Sequence, residues 1–471
     1  MSTNATARIS AFLAAAVNAP LDAAIIEKTK HHVVDTLAAI ISGTALHVGV
    51  TALGATAAFA GPGEAGVFGR RQRYPAVAAA MFNAMLAHAD ETDDSHERAK
   101  IHPGCAIVPT ALALAQRNRN SGLDVIRGVA AGYDCGARMV EALGAMALND
   151  NGHASHAIGG LWGAGGAASV LCGFDAVRAR RLLSYLAHET SGVSCWVNEY
   201  DHVQKAFVFG GMGAKNAITA SLLVAAGWTG LDEAIEGKHA LLPTYGKPGT
   251  TRAIDVPWVL GAEILGSNIK KWCVGSPVQA ALDCIEALLP DMPATADIDT
   301  IRIRIRADEA YVVNNRDMPN ICLQHLIALY VVDRRLDFAS VHDVTRMDQP
   351  EIRAVRQRIE LVPSQELLAA GGRQAIVDIV CKDGRALHKH VRHVRGTWGD
   401  PMPRSEVDAK ARDLILPIMG DAAGSALIDG LWQLETLDAA TLEHLIAAAC
   451  AAIPEVPVPN PTSSDDRGAD A

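Results

Sequence analysis

Thr300-Ile-Arg-Ile-Arg-Ile-Arg306 is the stretch at which the sequence changes its period. Isoleucine and arginine alternate along it, which is typical of a β-strand with one buried and one solvent-facing side. Two further segments, 374–381 and 385–395, flank Asp383-Gly384, a dipeptide that favours a tight hairpin turn. This part of the chain is therefore predicted to contain a sheet, with helical patterns between its strands.

The rest of the chain follows the helical period, and no strand-like alternation occurs between Gly61 and Gly249. Helices are predicted at 5–18, 21–43, 76–88, 105–118, 122–148, 157–172, 176–190, 207–227, 320–336, 349–358, 404–419 and 424–452. The predicted fold class is mainly α, with a large all-helical domain and a smaller α+β lid domain. The predicted boundaries are 1–268 for the first part of the helical domain, 269–397 for the lid, 398–453 for helices that return to the helical domain, and 454–471 for a disordered tail.

The composition agrees with this division and excludes several classes of protein. A chain of 471 residues exceeds the size at which one hydrophobic core stops growing, so two domains are expected. Hydrophobic residues make up 49% and aromatic residues only 5%, which favours closely packed helices. A net charge of −10 argues against a nucleic-acid partner, because phosphate binding needs basic surfaces.

Cysteine usage and the apolar segments bear on location. The nine cysteines form no Cys-x-x-Cys pair, which suggests reduced thiols in a cytoplasmic protein and offers no zinc or iron–sulfur ligand set. The N-terminal residues lack the order of a signal peptide. The uncharged run 154–174 is interpreted as a buried pair of helices because it contains His156 and several glycines. No membrane partner is expected.

The densest polar segment is His88-Ala-Asp-Glu-Thr-Asp-Asp-Ser-His-Glu-Arg-Ala-Lys-Ile-His-Pro-Gly104. It lies between two predicted helices and is interpreted as one wall of an active site. A simpler interpretation is a solvated loop in which Asp93 or Asp94 caps a helix. A divalent-metal site is a further alternative, although the spacing matches no metal motif. Its ligands would be His88, Asp94, His96 and His102.

Three other polar segments carry isolated histidines and lysines. His153 and His156 lie at the start of a glycine-rich helix, where free amides can meet an anion. Lys205 precedes an apolar helix, although a lysine there usually extends to solvent. Lys270-Lys271 lies at the predicted domain junction, either as a basic hinge or at a ligand site. Together these groups suit abstraction of a proton next to a carboxylate.

At these positions the sequence resembles the 2-methylcitrate dehydratase (MmgE/PrpD) family, which includes cis-aconitate decarboxylase and iminodisuccinate epimerase. The similar motifs are 88–96 with His102-Pro103, Gly152-His153-Ala-Ser155, Lys205 before 206–212, and Asn314-Asn-Arg-Asp-Met-Pro319. The resemblance covers about 8–452. It implies a helical domain with an α+β lid, no cofactor, a homodimer, and a small anionic di- or tricarboxylate as substrate.

The resemblance also implies site residues, with no metal among them. His102, His153, Lys205 and Asp94 are assigned to catalysis. Glu91, Ser95, His96, Lys270 and Lys271 are assigned to substrate binding, and the choice between the two adjacent lysines stays open. The sequence departs from the family where Glu91 replaces an aspartate and where Gln279 stands near the place of a family histidine.

The expected function is that of a cytoplasmic lyase which dehydrates a hydroxy-polycarboxylate such as 2-methylcitrate. Decarboxylation of cis-aconitate or epimerisation of iminodisuccinate on the same scaffold is the alternative. A metal-dependent hydrolase built on 88–102 and a helical interaction protein are alternatives of other classes. The last of these predicts that the polar segments lie far apart.

Overall fold

A computed structural model describes residues 4–199, 201–247 and 249–457. Most of these residues are helical, and a four-stranded sheet lies in the second half of the chain. The predicted fold class, mainly α with a smaller α+β domain, is thus confirmed. Of the predicted disordered tail, 458–471 lies outside the described residues.

The larger domain is built from helices packed around apolar, mostly small side chains. Its helices of eight residues or more are Ala5–Ala16, Ala23–Gly43, His47–Gly54, Ala76–Ala87, Gly104–Asn118, Gly122–Leu143, Ser155–Leu171, Ala176–Glu189 and Met212–Ala225. Glycines allow close helix contact at the centre. A Cβ atom at Gly136 would lie only 2.7 Å from the carbonyl oxygen of Gly159. The run predicted as a helix pair is therefore one buried helix, Ser155–Leu171.

The shorter helices and turns of this domain shape its edges. They are Ala145–Asp150, Val203–Ala206, Leu241–Tyr245, Arg252–Asp255 and Ala262–Leu265. The predicted helix 122–148 is interrupted at Gly144, which adopts φ 90°. The helix His47–Gly54 and the two-residue strands Ala65–Gly66 and Arg73–Tyr74 were not predicted.

The α+β domain contains the sheet, in the order Ile359–Ser364, Ile298–Arg306, Ala375–Cys381 and Ala386–Val391. Ile301, Ile303 and Ile305 are buried, whereas the arginines between them face outward and pair with acids on neighbouring strands. The hairpin turn lies where it was predicted, with Gly384 at φ 87°. The parallel strand Ile359–Ser364 was missed because Pro363 and its irregular pattern hide an edge strand.

Helices of the α+β domain cover the sheet, and the chain then returns to the larger domain. The covering helices are Gln279–Leu288, Ala307–Val313, Leu323–Asp333, Phe338–His342, Pro350–Arg356 and Gln365–Ala370. The last helices are Arg404–Met419, Asp421–Leu431 and Ala439–Ala452. Val407 and Leu414 share one core with Leu37 of Ala23–Gly43. Lys410 crosses the same contact and reaches the buried Asp35, with Nζ 2.7 Å from Oδ1.

One helical stretch, Val203–Ala225, is long and apolar enough to cross a membrane. It packs inside the larger domain, and 56% of its apolar window is buried. It contains a π-helical turn at Phe207–Gly211, which shifts the register of the side chains that follow. Core helices of this kind satisfy the same length and composition test, so the stretch is weak evidence for a membrane span.

Candidate active site

A cavity of about 250 Å³ lies between the helical domain and the α+β domain. Cavities at domain junctions are common ligand sites. The polar and aromatic side chains that line it from the helical domain are Glu91, His102, His156, Trp196, Glu199, His202 and Lys205. From the α+β domain it is lined by Tyr311, Arg316, Met318, Ile321 and Arg373.

The loop between Ala76–Ala87 and Gly104–Asn118 carries an acid–imidazole pair beside this cavity. Asp93 is fully buried, and one of its carboxylate oxygens accepts a hydrogen bond from Nδ1 of His88 at 2.9 Å. Nδ1 of His102 lies 3.2 Å from the other oxygen. Burial alone would raise the pKa of Asp93, but the two imidazoles hold it well below its usual range. Asp93 is thus a carboxylate that orients His102.

His102 has the properties of a proton acceptor. Burial lowers its pKa below the ordinary histidine value, and the neighbouring Asp93 opposes that shift only in part. The ring is therefore neutral near pH 7. Because Nδ1 faces Asp93, Nε2 is the nitrogen left for a ligand in the cavity. A neutral imidazole held by a carboxylate is a common general base.

Two lysines converge on Glu91. Nζ of Lys205 contacts its carboxylate, and Nζ of Lys270 donates to its backbone carbonyl at 2.7 Å. Nζ of Lys270 also lies 3.6 Å from the carboxylate and 3.8 Å from that of Asp93. Burial would raise the pKa of Glu91, yet the two ammonium groups hold it well below its usual range. The structure thus brings together His102, Lys205, Lys270 and Glu91.

The adjacent lysine points elsewhere. Nζ of Lys271 pairs with Glu286 and lies 4.7 Å from the centre of the Trp272 ring. Lys271, Trp272 and Glu286 line a different cavity, of about 630 Å³. Gln279 is also occupied, since its amide bonds the backbone of Trp272 and Val274. Lys270 is therefore the lysine of the pair that reaches Glu91.

The ring of Phe209 packs against the histidines of the site. Its ring stacks on His156 at 4.0 Å and on His88 at 4.6 Å between centroids. His156 in turn stacks on His102 at 5.3 Å. Burial lowers the pKa of His156 and of His202 well below the usual range, so both rings are neutral. The ring of His156 that stacks on His102 is therefore uncharged.

Sequence reasoning did not assign His156 or His202 to the site. The signal for His156 was its place on the first turn of the buried helix Ser155–Leu171. No sequence pattern indicated that His202 faces the cavity. Its orientation follows from a left-handed backbone conformation, with φ 66°, that the local sequence does not predict.

Other residues assigned to the site from the sequence do not line this cavity. Asp94 faces the core and accepts hydrogen bonds from His32, Tyr133 and the backbone of Gly104. Ser95 pairs through its backbone with Asn268. His96 lies 3.1 Å from Glu263, and His153 packs against the ring of Tyr245. Successive loop residues face opposite sides, so sequence proximity did not imply a shared site.

The four ligands of the metal hypothesis are separated, because Asp94 and His96 bind other partners. Two other groups of donor atoms lie within 4.8 Å of one another: His88, Asp93 and Cys105, and His96, Glu141 and Glu263. In the first group, burial raises the pKa of Cys105 well above its usual range, and its protonated thiol is a poor ligand. In the second, Arg98 already binds both glutamates. Neither group fits a metal ion well.

The fold and this cavity define a class of protein: a helical body and an α+β domain that enclose a site of imidazoles, carboxylates and ammonium groups. Family comparison gives the class its name. The model of the MmgE/PrpD N-terminal domain matches residues 7–252, and that of the MmgE/PrpD C-terminal domain matches residues 272–434. The chain belongs to the MmgE/PrpD family, as its motifs predicted.

Individual relatives are similar over most of the chain. A protein named Cis-aconitate decarboxylase from Aspergillus terreus is 24% identical over 425 residues, 83% of this chain and 85% of the relative. One from A. terreus strain NIH 2624 / FGSC A1156 is 23% identical over 446 residues, 88% of this chain and 89% of the relative. The Cis-aconitate decarboxylase-like protein oryM of Aspergillus oryzae (strain ATCC 42149 / RIB 40) is 24% identical over 315 residues, 63% of this chain and 64% of the relative. These similarities support an enzyme of the dehydratase and decarboxylase family.

Proposed function

We propose that the protein is a lyase that acts on a small di- or tricarboxylate through proton transfer at a carbon next to a carboxylate. The observation that carries this proposal is the Asp93–His102 pair beside Lys205 and Lys270. A proton on such a carbon is weakly acidic, because its removal adds charge next to an existing carboxylate. Fixed cations in a site with little water stabilise that charge.

The roles of the side chains follow from their contacts. His102 exchanges a proton with the substrate carbon through Nε2, and Asp93 stabilises the imidazolium that forms. Lys205 and Lys270 hold the carboxylate next to the reacting carbon, sharing their charge with Glu91. No cofactor is needed for these steps, and full activity in the presence of a chelator is the expected result.

Decarboxylation of a cis-aconitate-like tricarboxylate is the reaction that the relatives favour, since two proteins named Cis-aconitate decarboxylase align with 83% and 88% of this chain. In that reaction a carbon–carbon bond breaks, carbon dioxide leaves, and the electron pair remains on the substrate. A proton taken up from solvent by His102 then passes to carbon.

Dehydration of a hydroxy-polycarboxylate is the second candidate, favoured by the state of His102. Its lowered pKa makes the resting imidazole a base, which suits removal of a proton from carbon before hydroxide leaves. Epimerisation of iminodisuccinate would need a second base on the opposite face of the carbon. His156 stacks on His102 and does not oppose it, so the geometry favours this reaction least.

The test is incubation with cis-aconitate, citrate, 2-methylcitrate and iminodisuccinate in deuterium oxide, followed by nuclear magnetic resonance. Carbon dioxide with a deuterated unsaturated dicarboxylate would identify decarboxylation. An unsaturated product that keeps every carboxylate would identify dehydration, and deuterium without net reaction would identify epimerisation. If none of these acids reacts or exchanges, the proposal is wrong.

We also propose that the enzyme acts in the cytoplasm as a homodimer, as the family resemblance and the nine unpaired cysteines suggest. Sedimentation of the purified protein tests the dimer, and fractionation of the source cells tests the location.

A further inference from the structure

Arg316 is a half-buried cation on the α+β side of the cavity. Its guanidinium has no ion pair or side-chain hydrogen bond with any described residue. A guanidinium offers donors in a planar fork that matches a carboxylate with two parallel hydrogen bonds. A charged group that faces a cavity without a partner is suited to meet the charge of a ligand.

The other cations in the lining of this cavity, and Lys270 beside it, already have carboxylate partners. Lys205 and Lys270 share Glu91, and Nε of Arg373 lies 3.4 Å from a carboxylate oxygen of Glu309. The remaining cavity acid, Glu199, is also occupied, since it accepts the backbone N–H of Lys205 at 2.9 Å. Among the described residues that line the cavity, Arg316 therefore carries the positive charge that no protein carboxylate offsets.

The backbone before Arg316 is fixed by specific contacts. Asn315 adopts a left-handed conformation with φ 46°, which reverses the chain after the helix Ala307–Val313. The side chain of Gln324 holds this turn by bonding the Asn315 N–H at 2.9 Å and the Asn314 amide oxygen at 2.7 Å. Arg356 bonds the Asn315 side chain at 3.3 Å. The fold thus fixes the backbone from which the Arg316 side chain extends.

We propose that Arg316 binds a second carboxylate of the substrate, remote from the reacting carbon, and so selects acids that carry at least two carboxylates. This inference rests on the proposed function, because it assumes that the reacting end lies at His102 and the lysines. The substrate then spans the cavity, with one carboxylate beside Lys205 and Lys270 and another at Arg316. Monocarboxylates leave the half-buried guanidinium without a partner and bind weakly.

The experiment measures binding of tricarballylate, a saturated tricarboxylate with no hydroxyl group to eliminate, by calorimetry. Arg316→Gln is expected to weaken binding about 10- to 100-fold, as for loss of a charge-assisted hydrogen-bonded pair. Arg385→Gln is the matched control, since Arg385 lies exposed in the hairpin turn of the same domain. That variant should bind within about twofold of wild type, as expected for a surface position.

Each outcome decides one claim. Unchanged affinity in a folded Arg316→Gln variant would overturn the role of Arg316 and leave the proposed function intact. Wild-type protein that fails to bind tricarballylate and also fails to turn over any polycarboxylate would instead overturn the proposed function. If Arg316→Gln does not fold, Arg316→Lys decides: several-fold weaker binding supports the fork geometry, and wild-type affinity contradicts it. In steady-state kinetics the loss should appear in KM more than in kcat.

Discussion

Asp93 and Asp94 are neighbours in the chain, yet they belong to two different regions of the molecule. Asp93 lies on the cavity side of the loop and contacts His88 and His102. Asp94 lies on the core side and joins His32 to Tyr133. Both carboxylates are fully buried, so burial does not distinguish them. The role of each aspartate therefore depends on its histidine partner: His102, the partner of Asp93, lines the cavity, whereas His32, the partner of Asp94, lies in the core.

The core-side contacts also fix the cavity side. One oxygen of Asp94 accepts the backbone N–H of Gly104 at 2.8 Å, at the start of the helix Gly104–Asn118. A carboxylate at this position stabilises the helix, because its negative charge lies at the positive end of the helix dipole. His102 lies two residues before this helix, so the core network holds the base in position. Asp94 is a positioning residue, and Asp93 acts on the base directly.

The largest effect should separate two histidines that the family motifs treat alike. His102→Ala removes the base and should lower turnover by about 10²- to 10⁴-fold, as for other general bases. His153→Ala removes a ring that packs on Tyr245 away from the cavity, so its turnover should stay within about threefold of wild type, as expected away from the chemistry. Product formation by both variants tests this. Equal losses would show that the cavity side is wrongly assigned.

The next effect should be on stability and should fall on the core side. Asp94→Ala leaves His32 and Tyr133 buried without their acceptor, which should cost about 3 kcal/mol in the free energy of unfolding. Asp299→Ala, at an exposed position, should cost less than about 0.5 kcal/mol. Urea denaturation measures both. An Asp94 variant as stable as wild type would contradict the core network.

A smaller effect should separate the two adjacent lysines. Lys270→Ala removes an ammonium group that lies beside both Glu91 and Asp93 and should lower kcat/KM by about 10- to 50-fold, as for a charged hydrogen bond. Lys271→Ala loses only its contacts to Glu286 and Trp272 and should remain within about twofold. A larger loss in Lys271→Ala than in Lys270→Ala would show that Lys271, not Lys270, serves the site.

The smallest effect is a pH dependence of stability on the core side. Burial lowers the pKa of His32 to about 4, and its Nε2 has no described partner for an added proton. The unfolded chain therefore binds a proton more readily, so stability is full above about pH 6.5 and falls towards pH 4. Between pH 7 and 5.5 the loss should be about 1 kcal/mol. The urea midpoint should fall less steeply with decreasing pH in His32→Asn than in wild type. An unchanged dependence on pH would contradict this account.

Much of the fold could be predicted because the hydrophobic period changes clearly at Thr300 and again after Gly396. The hairpin followed from Asp383-Gly384. The strand Ile359–Ser364 escaped because edge strands tolerate proline and an irregular pattern. Short helices such as His47–Gly54 depend on packing against neighbours more than on local sequence.

The site was predictable as a set of segments and not as a set of side chains. Glu91 and His102 from the polar segment 88–104 line the cavity together with Lys205. Which side chain of each segment faces the cavity could not be predicted. Asp93 and Asp94 are adjacent and chemically identical, as are Lys270 and Lys271, yet the members of each pair point to different places. His202 reaches the site through an unusual backbone angle, and Arg316 through a turn held by Gln324. Arg316 belongs to the motif 314–319, but its place at the cavity, like that of His202, depends on tertiary contacts that the motif does not encode.

The central claim is that His102 moves a proton between solvent and a substrate carbon in the cavity. The direct measurement is the rate at which solvent deuterium enters the product, or the recovered substrate, in wild type, His102→Ala and His153→Ala. The account predicts deuterium at one carbon in wild type and His153→Ala, and almost none in His102→Ala. Deuterium transfer at the wild-type rate in His102→Ala would contradict it.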